Sequence, residues 1–293
     1  MALKKSTAVK EAGKKFSEKA AESVVTAGSY TLRAVEGGQK KGLVFGPIGS
    51  GKTITAVAGA ALNGSRILVV STDFGGQGLT SVVQYLKDLV KAGKLDQAEF
   101  NTILDERVVG NTLTSFDQVE KFLISPEKVV PELAQGFVPD LDVWDGFSYY
   151  QQTMIDQYAW EVYPDESQSF PRWGEVLRKT MQNLGKFIGM EHGGVIPHKM
   201  VTVLEDKVDI DEFTKKPQIA PMLNTKAKEL SGGGFDLVVN TFSENGEYKY
   251  RSAGDTSKYK VKSRGIPIPP LMNADPLKLW KALIGEIDLR EEN

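Results

Sequence analysis

The chain has 293 residues, 41% of them hydrophobic and 25% charged, with a formal net charge of −2. That length and balance suit one large or two small globular domains with an ordinary core, and they give no overall attraction to nucleic acid or to a membrane surface. The absence of cysteine excludes disulfides, thiolate zinc and a cysteine nucleophile, and two histidines, His192 and His198, are too few for a histidine-rich metal centre.

No apolar run reaches the roughly 18 residues of a membrane span. The N-terminal MALKKSTAVKEAGKKFSEKAAES holds no apolar signal core, so a cytoplasmic, membrane-free protein is expected.

In chain order, residues 3–24 read as a basic helix, with six lysines against two glutamates in the first twenty positions. Such a helix is either a solvated end or an arm that touches a neighbouring subunit or a phosphate backbone. SYTLRAVE (29–36) is a candidate edge strand. KGLVFG is a strand that enters a glycine-rich turn, and a helix follows from about Gly51 to Leu62. RILVVS (66–71) is an unbroken apolar run of strand length. A helix is expected near 78–92, then strand, loop and helix in ERVVGNTLTSFDQVEKFL, where Ser115 and Gln118 have capping-box spacing. LDVWDGF is a strand ending near Asp145.

Residues 173–188 form the most regular helix, with Trp173, Val176, Leu177, Met181, Leu184, Phe187 and Ile188 on one core-packing face. GVIPHKM reads as a strand, followed by a polar loop over 204–218 and a short helix near 222–230. FDLVVNTF, EYKYRS and KYKVKSR are strands with the turn signals ENGE and AGDTS between them. A helix over about 276–285 closes the chain. Alternating strands and helices imply an α/β fold, a mostly parallel twisted sheet with helices on both faces and antiparallel C-terminal edge strands. The expected division is an N-terminal basic helix and edge strand (1–38), a core (39–266) and a C-terminal linker with a helix (267–293).

Gly46-Pro47-Ile48-Gly49-Ser50-Gly51-Lys52-Thr53 matches G-x-x-x-x-G-K-[ST] in full, with a strand before and a helix after. The glycines let backbone N–H groups converge on phosphate without a Cβ in the way, and the helix start adds its positive dipole end. Residues Gly46 to Ile54 are therefore the expected nucleotide-binding segment. Lys52 reaches the β- and γ-phosphates and the Thr53 hydroxyl ligates Mg²⁺.

Asp145, at a strand's C-terminal end, is the expected second metal-linked acid, although the same position also suits a cap for the following helix. About ninety residues and two strand candidates separate it from the phosphate turn. That layout suits P-loop proteins with an extra strand between the two phosphate-site strands. Hydrolysis needs a carboxylate to orient water, and Asp73 in VVSTDFGG is the first choice, ahead of Glu161 and Asp165. His198, placed at the end of an apolar strand, is a candidate γ-phosphate sensor or a structural histidine; His192 is expected in a surface turn. Lys260, Lys262 and Arg264 alternate along KYKVKSR, either as solubilising charges or as fingers inserted into a neighbour's nucleotide site.

The order of these parts resembles the RecA-like P-loop ATPase core, and within it the phage AAA-domain family linked to single-strand annealing and recombination. The resemblance rests on GPIGSGKT, ILVVSTDFGG, LDVWDGF, RWGEVLRKTMQNLGKFIG, GVIPHKM, FDLVVN and KVKSR, over roughly residues 40–266. It implies ATP with Mg²⁺, Lys52, Thr53 and Asp145 in the roles above, and Asp73 where such enzymes carry a catalytic glutamate. It implies His198 as sensor, and Lys262 with Arg264 as trans-acting fingers. It also implies that residues 161–172 and 202–218 face DNA. Two departures stand out. Asp73 is shorter than glutamate, and 202–218 holds five acids against three lysines, which is poor for following a phosphate backbone. Trp160, Tyr163, Phe170, Arg172 and Trp173 suit base stacking better, or else belong to the core.

The resemblance implies an oligomeric ATPase acting on single-stranded DNA, as ring or filament, with recombination or replication proteins as partners, in the host cytoplasm if the source is viral. The alternatives are a nucleotide-gated assembly protein with weak turnover and a monomeric small-molecule phosphotransferase.

Overall fold

The computed structural model of the protein describes residues 38–73, 77–210, 217–224, 233–253 and 258–291. The expected N-terminal helix and edge strand, and most of the expected helix near 222–230, lie outside them. Residues Gln39–Asn293 form one compact unit.

Among the described residues the unit is built on a ten-stranded sheet whose main path runs β10-β8-β7-β1-β5-β4-β2-β3, with β6 against β5 and β9 against β7. Its strands are β1 (Lys41–Gly46), β2 (Ile67–Ser71), β3 (Val108–Thr112), β4 (Leu141–Asp145), β5 (His198–Ile210), β6 (Pro217–Pro221), β7 (Leu237–Glu244), β8 (Glu247–Arg251), β9 (Lys262–Ser263) and β10 (Leu271–Asn273). From β7 through β3 every neighbour is parallel. The pairs β7–β8, β8–β10, β5–β6 and β7–β9 are antiparallel. The fold is thus α/β, mostly parallel, with antiparallel edge strands. The extra strand implied between the phosphate turn and Asp145 is β5, which pairs with both β1 and β4.

The central strands are mostly apolar because both of their sides are covered. Val44, Ile67, Val69, Leu141, Val143, Met200, Leu237 and Val239 enter one core with α1 (Lys52–Leu62), α2 (Gln77–Lys91) and α6 (Pro276–Ile284). Their alternates, including Leu43, Phe45, Leu68, Val70, Trp144, Val201 and Val203, enter a second core. That core is shared with α3 (Phe116–Ile124), with the helical stretch ending in α4 (Asp156–Val162), and with α5 (Ser169–Gly189). A π turn, Tyr150–Ile155, precedes α4. Residues after 266 are integral to the unit: β10 joins the sheet, and α6 packs so tightly on α1 that a Cβ at Gly59 would lie 2.0 Å from the Pro276 carbonyl oxygen.

Local signals explain several boundaries. Gln118 N–H donates to Ser115 Oγ (3.3 Å), while Gln118 Oε1 accepts from Thr114 N (2.8 Å), starting α3. Asn245 and Gly246 both adopt positive φ, 54° and 82°, in the tight turn that joins β7 to β8.

Three expectations are corrected. The polar stretch after residue 204 is not a loop: β5 continues to Ile210, and β6 pairs with it as an antiparallel ribbon. The strand read in GVIPHKM begins only at His198, because Pro197 has no N–H to give to a central ladder. KYKVKSR is not a full strand. From Asn240 onward β8 occupies the edge of β7, so β9 is left with Leu237 and Val238 as partners.

Candidate nucleotide site

The phosphate turn leaves β1 at Gly46 and delivers the chain into α1 at Lys52. Glycine is needed at three of its positions. Gly49 and Gly51 adopt φ of 77° and 81°, in the left-handed region, and a Cβ at Gly46 would lie 2.2 Å from the Thr241 carbonyl oxygen on β7. β7 also braces the turn through a 2.7 Å hydrogen bond between Ser50 Oγ and Thr241 Oγ1. The first N–H groups of α1 have no intrahelical acceptors, and α1 is long enough for its dipole to favour an anion there.

Lys52 Nζ donates to the carbonyls of Gly46 (3.1 Å) and Pro47 (2.7 Å). Burial lowers its pKa, and the charges of Asp145, Asp73 and Glu205 oppose that shift. Those three carboxylates converge on the lysine from β4, from the end of β2 and from β5.

Asp145 is buried at the C-terminal end of β4. Its Oδ1 accepts from Thr53 Oγ1 (2.9 Å) and from Thr202 Oγ1 (2.5 Å). Burial raises the Asp145 pKa, and the two hydroxyl bonds work against that rise. The N-terminus of α2 abuts the same carboxylate: a Cβ at Gly78 would lie 2.3 Å from Asp145 Oδ2 and 2.8 Å from Thr53 Oγ1. Only glycine at residue 78 lets α2 come this close to the carboxylate and the hydroxyl, and all three residues line the cleft with hard oxygen donors that suit Mg²⁺ alongside phosphate.

Asp73 is exposed on the bend after β2, its N–H 3.3 Å from Ser71 Oγ. Gly146 (φ 80°) presses against it, with a hypothetical Cβ only 2.9 Å from Asp73 N. Ile48, Gly49, Gly51, Lys52, Thr53, Ile54, Asp73 and Asp145 line one open cleft of about 620 Å³. Residues outside the sequence expectations join them there: Gln77, Gly78, Tyr149, Gln152, Thr202 and Tyr248. Tyr248, 51% exposed at the start of β8, stands beside Gly51. Its position was not legible from the sequence, because the β7–β8 hairpin folds back to the turn only through long-range pairing.

Other expected residues lie elsewhere. His198 begins β5 opposite Leu141, whereas the phosphate turn leaves the far end of β1 opposite Leu204. The sheet thus holds His198 away from the cleft, where its Nδ1 accepts from Lys40 N–H (3.0 Å) and its ring stands edge-on to Trp280. β5 instead lines the cleft with Thr202, and Glu205 farther along the strand adds its charge near Lys52. His192 is buried rather than at the surface: its Nε2 lies 2.9 Å from Asp142 Oδ2, and Lys199 donates to the same carboxylate and to the Met190 carbonyl.

Lys262 Nζ donates to Phe235 O (2.9 Å), and the Arg264 side chain is exposed just beyond β9. Both sit beside the N-terminal end of β7, remote from their own phosphate turn. Glu161 lies on α4 and Asp165 in the turn after it, and neither lines the cleft.

The aromatic segment divides in two. Arg172 is buried, stacked 3.2 Å from the Trp160 ring centroid and donating to the carbonyls of Tyr163 and Asp165. Phe170 (87% exposed), Trp173 (63%) and Trp160 (42%) face outward. Trp173 is thus not part of the core face of α5.

Among the described residues, no helix is long and apolar enough to cross a membrane. No protein-family model matches the chain, so the narrower kinship with phage AAA-domain proteins gains no support, and no curated protein matches it either. Among solved structures, the chain is similar to one described as the crystal structure of the RadB recombinase, at 17% identity over 78% of this chain and 88% of that one, with a TM-score of 0.41. It is also similar to one described as a prototypical ATPase from the type III secretion system of pathogenic bacteria, at 15% identity over 72% of this chain and 55% of that one, with a TM-score of 0.39.

Proposed function

We propose that the chain is a RecA-like ATPase that binds Mg²⁺–ATP in the cleft above β1, β5 and β4, hydrolyses it, and couples that cycle to single-stranded DNA. What supports this is the meeting of a complete phosphate turn with Thr53, Asp145 and Asp73 at one end of a parallel sheet, where α/β proteins bind ligands. Thr53 and Asp145 would hold Mg²⁺, which would supply positive charge to offset that of the phosphates. Lys52 exchanges the carbonyls of Gly46 and Pro47 for those oxygens. Tyr248 lies flat against the base. Asp73, across the cleft from Lys52, orients the attacking water.

Lys262 and Arg264 act on a neighbouring copy of the chain, since each lies far from its own phosphate turn. ATP then bridges subunits of a ring or filament, and hydrolysis releases them. Trp160, Phe170 and Trp173 offer exposed rings on which bases stack.

The test is steady-state ATP turnover by the full chain with Mg²⁺, with and without a single-stranded oligonucleotide. Stimulation of about tenfold or more, equivalent to about 1.4 kcal/mol of barrier, abolished by Lys52→Ala, supports the proposal. Recovery of activity on mixing Lys52→Ala with Arg264→Ala supports a site completed between subunits and rejects a monomeric phosphotransferase.

A second role, a nucleotide-gated assembly protein with weak turnover, is favoured by the β5–β6 ribbon. Where the resemblance implies a DNA-facing loop, β5 carries Glu205, Asp206 and Asp209. Nucleotide-dependent assembly without any response to nucleic acid identifies that role.

A further inference from the structure

Thr202 is a hydroxyl in an apolar place. On β5 its neighbours Val201 and Val203 enter one core and Met200 enters the other, yet Thr202 itself is buried to 1% exposure. A buried hydroxyl is costly unless it is hydrogen-bonded. Thr202 makes two bonds, and their directions are fixed. The Gly146 N–H can only donate, so Thr202 Oγ1 accepts it (2.9 Å). The one hydroxyl proton is then committed to Asp145 Oδ1 (2.5 Å).

That commitment orients the carboxylate. Thr53 and Thr202 both donate to Oδ1, which leaves Oδ2 on the side of Gly78, in the wall of the cleft that Thr53, Gly78 and Asp145 line together. A cation there needs the Thr53 oxygen as a ligand, and Thr53 must then turn its proton away from Asp145. Thr202 is the donor that remains. Through Gly146 it also holds the left-handed turn that carries Asp145 out of β4 and abuts Asp73.

We propose that Thr202 is the positioning residue of the magnesium site, aiming the Asp145 carboxylate into the cleft where Thr53 and Gly78 line its wall. This rests on the nucleotide-binding role proposed above. Thr202 touches neither nucleotide nor metal; it acts through Asp145, as outer-shell donors do at other metal centres.

The experiment titrates Mg²⁺ into the full chain with a fluorescent ATP analogue and reads the half-saturating magnesium concentration. Affinity in EDTA and a thermal melt are recorded alongside. Thr202→Val keeps the shape and deletes the hydroxyl, and it should raise that concentration about tenfold or more while leaving affinity in EDTA unchanged. Thr202→Ser should restore the wild-type value. If Thr202→Val does not fold, Thr202→Ala carries the same expectation. An unchanged magnesium requirement in a folded variant, an equal loss in EDTA, or failure of serine to rescue would overturn the proposal. A wild-type chain that binds the analogue neither with nor without Mg²⁺ overturns the nucleotide-binding role itself, and this inference with it.

Discussion

Thr53 Oγ1 and Asp145 Oδ1 lie 2.9 Å apart although 92 residues separate them in the chain. One stands in the first turn of α1 and the other at the last position of β4, so the bond exists only because β5 sets β1 and β4 a fixed two strands apart. Substituting Asp145→Asn removes the negative charge from this pair. Magnesium-dependent nucleotide affinity should fall about 10–100-fold, read by nucleotide titration with and without Mg²⁺. The melting temperature should hold or rise, because burial already penalises the charged carboxylate.

Tyr248 offers an exposed ring beside Gly51 at the rim of the cleft. Tyr248→Ala should weaken nucleotide binding by about 1–3 kcal/mol, the scale of base–aromatic stacking, and Tyr248→Phe should retain it. Equal affinities for the alanine and wild-type chains in calorimetric titration would remove Tyr248 from the base site.

Gly59 has no room for a side chain, since its Cβ would meet the Pro276 carbonyl at 2.0 Å and Trp280 Cβ at 3.0 Å. Gly59→Ala should therefore pry α6 from α1 and destabilise the unit by about 1–3 kcal/mol, the usual cost of overpacking. Denaturant unfolding measures it. A neutral or stabilising result would mean that α6 shifts without cost.

Phe170 and Trp173 project from the first turns of α5, 87% and 63% exposed. Alanine at both positions should leave the thermal melt unchanged and reduce affinity for a single-stranded oligonucleotide by about 1–3 kcal/mol per lost stack. Fluorescence anisotropy reads the outcome, and an unaltered affinity would reject these rings as a stacking surface.

His198 has its pKa lowered from 6.5, chiefly by burial and then by the charge of Lys40, against the pull of Asp140. Its neutral form is the one the fold keeps, with Nδ1 accepting from Lys40 N–H. The unfolded chain therefore binds a proton first. The stabilising contribution of His198 is present above pH 6.5 and is lost as pH falls through the depressed folded-state value. His198→Gln should flatten this part of the stability profile, seen as a smaller drop in melting temperature on going from neutral to mildly acidic buffer.

Much of the sheet is readable because its strands are buried on both sides and thus show as apolar runs: LVF, ILVV and LVV mark central strands, and VW marks β4 although the buried Asp142 precedes it. The phosphate turn was readable because its chemistry is local, requiring glycine at fixed offsets before a lysine and a threonine. The sequence misplaces His198 because the proline in the middle of GVIPHKM is a barrier, so the histidine starts the strand instead of ending it. Thr202 and Gly78 were missed for a different reason. Nothing within a few residues of either signals its role, since each acquires meaning from Asp145, which belongs to another strand. Trp173 was assigned to the core by helical spacing alone, yet α5 extends past the layer it packs against, and its first turns stand clear.

The alignment of β1, β5 and β4 has a mechanical corollary. Gly46, Thr202 and Asp145 issue from three strands running side by side in one direction, and no crosslink ties their ends. Slippage of β4 by two residues would keep every side chain on its own face, but it would part Asp142 from His192 and Lys199. It would also draw Asp145 about 7 Å back along the strand axis, out of reach of Thr53. The geometry of the candidate site is thus a matter of longitudinal phase, which folding must set correctly even where the alternation of faces alone would tolerate the error.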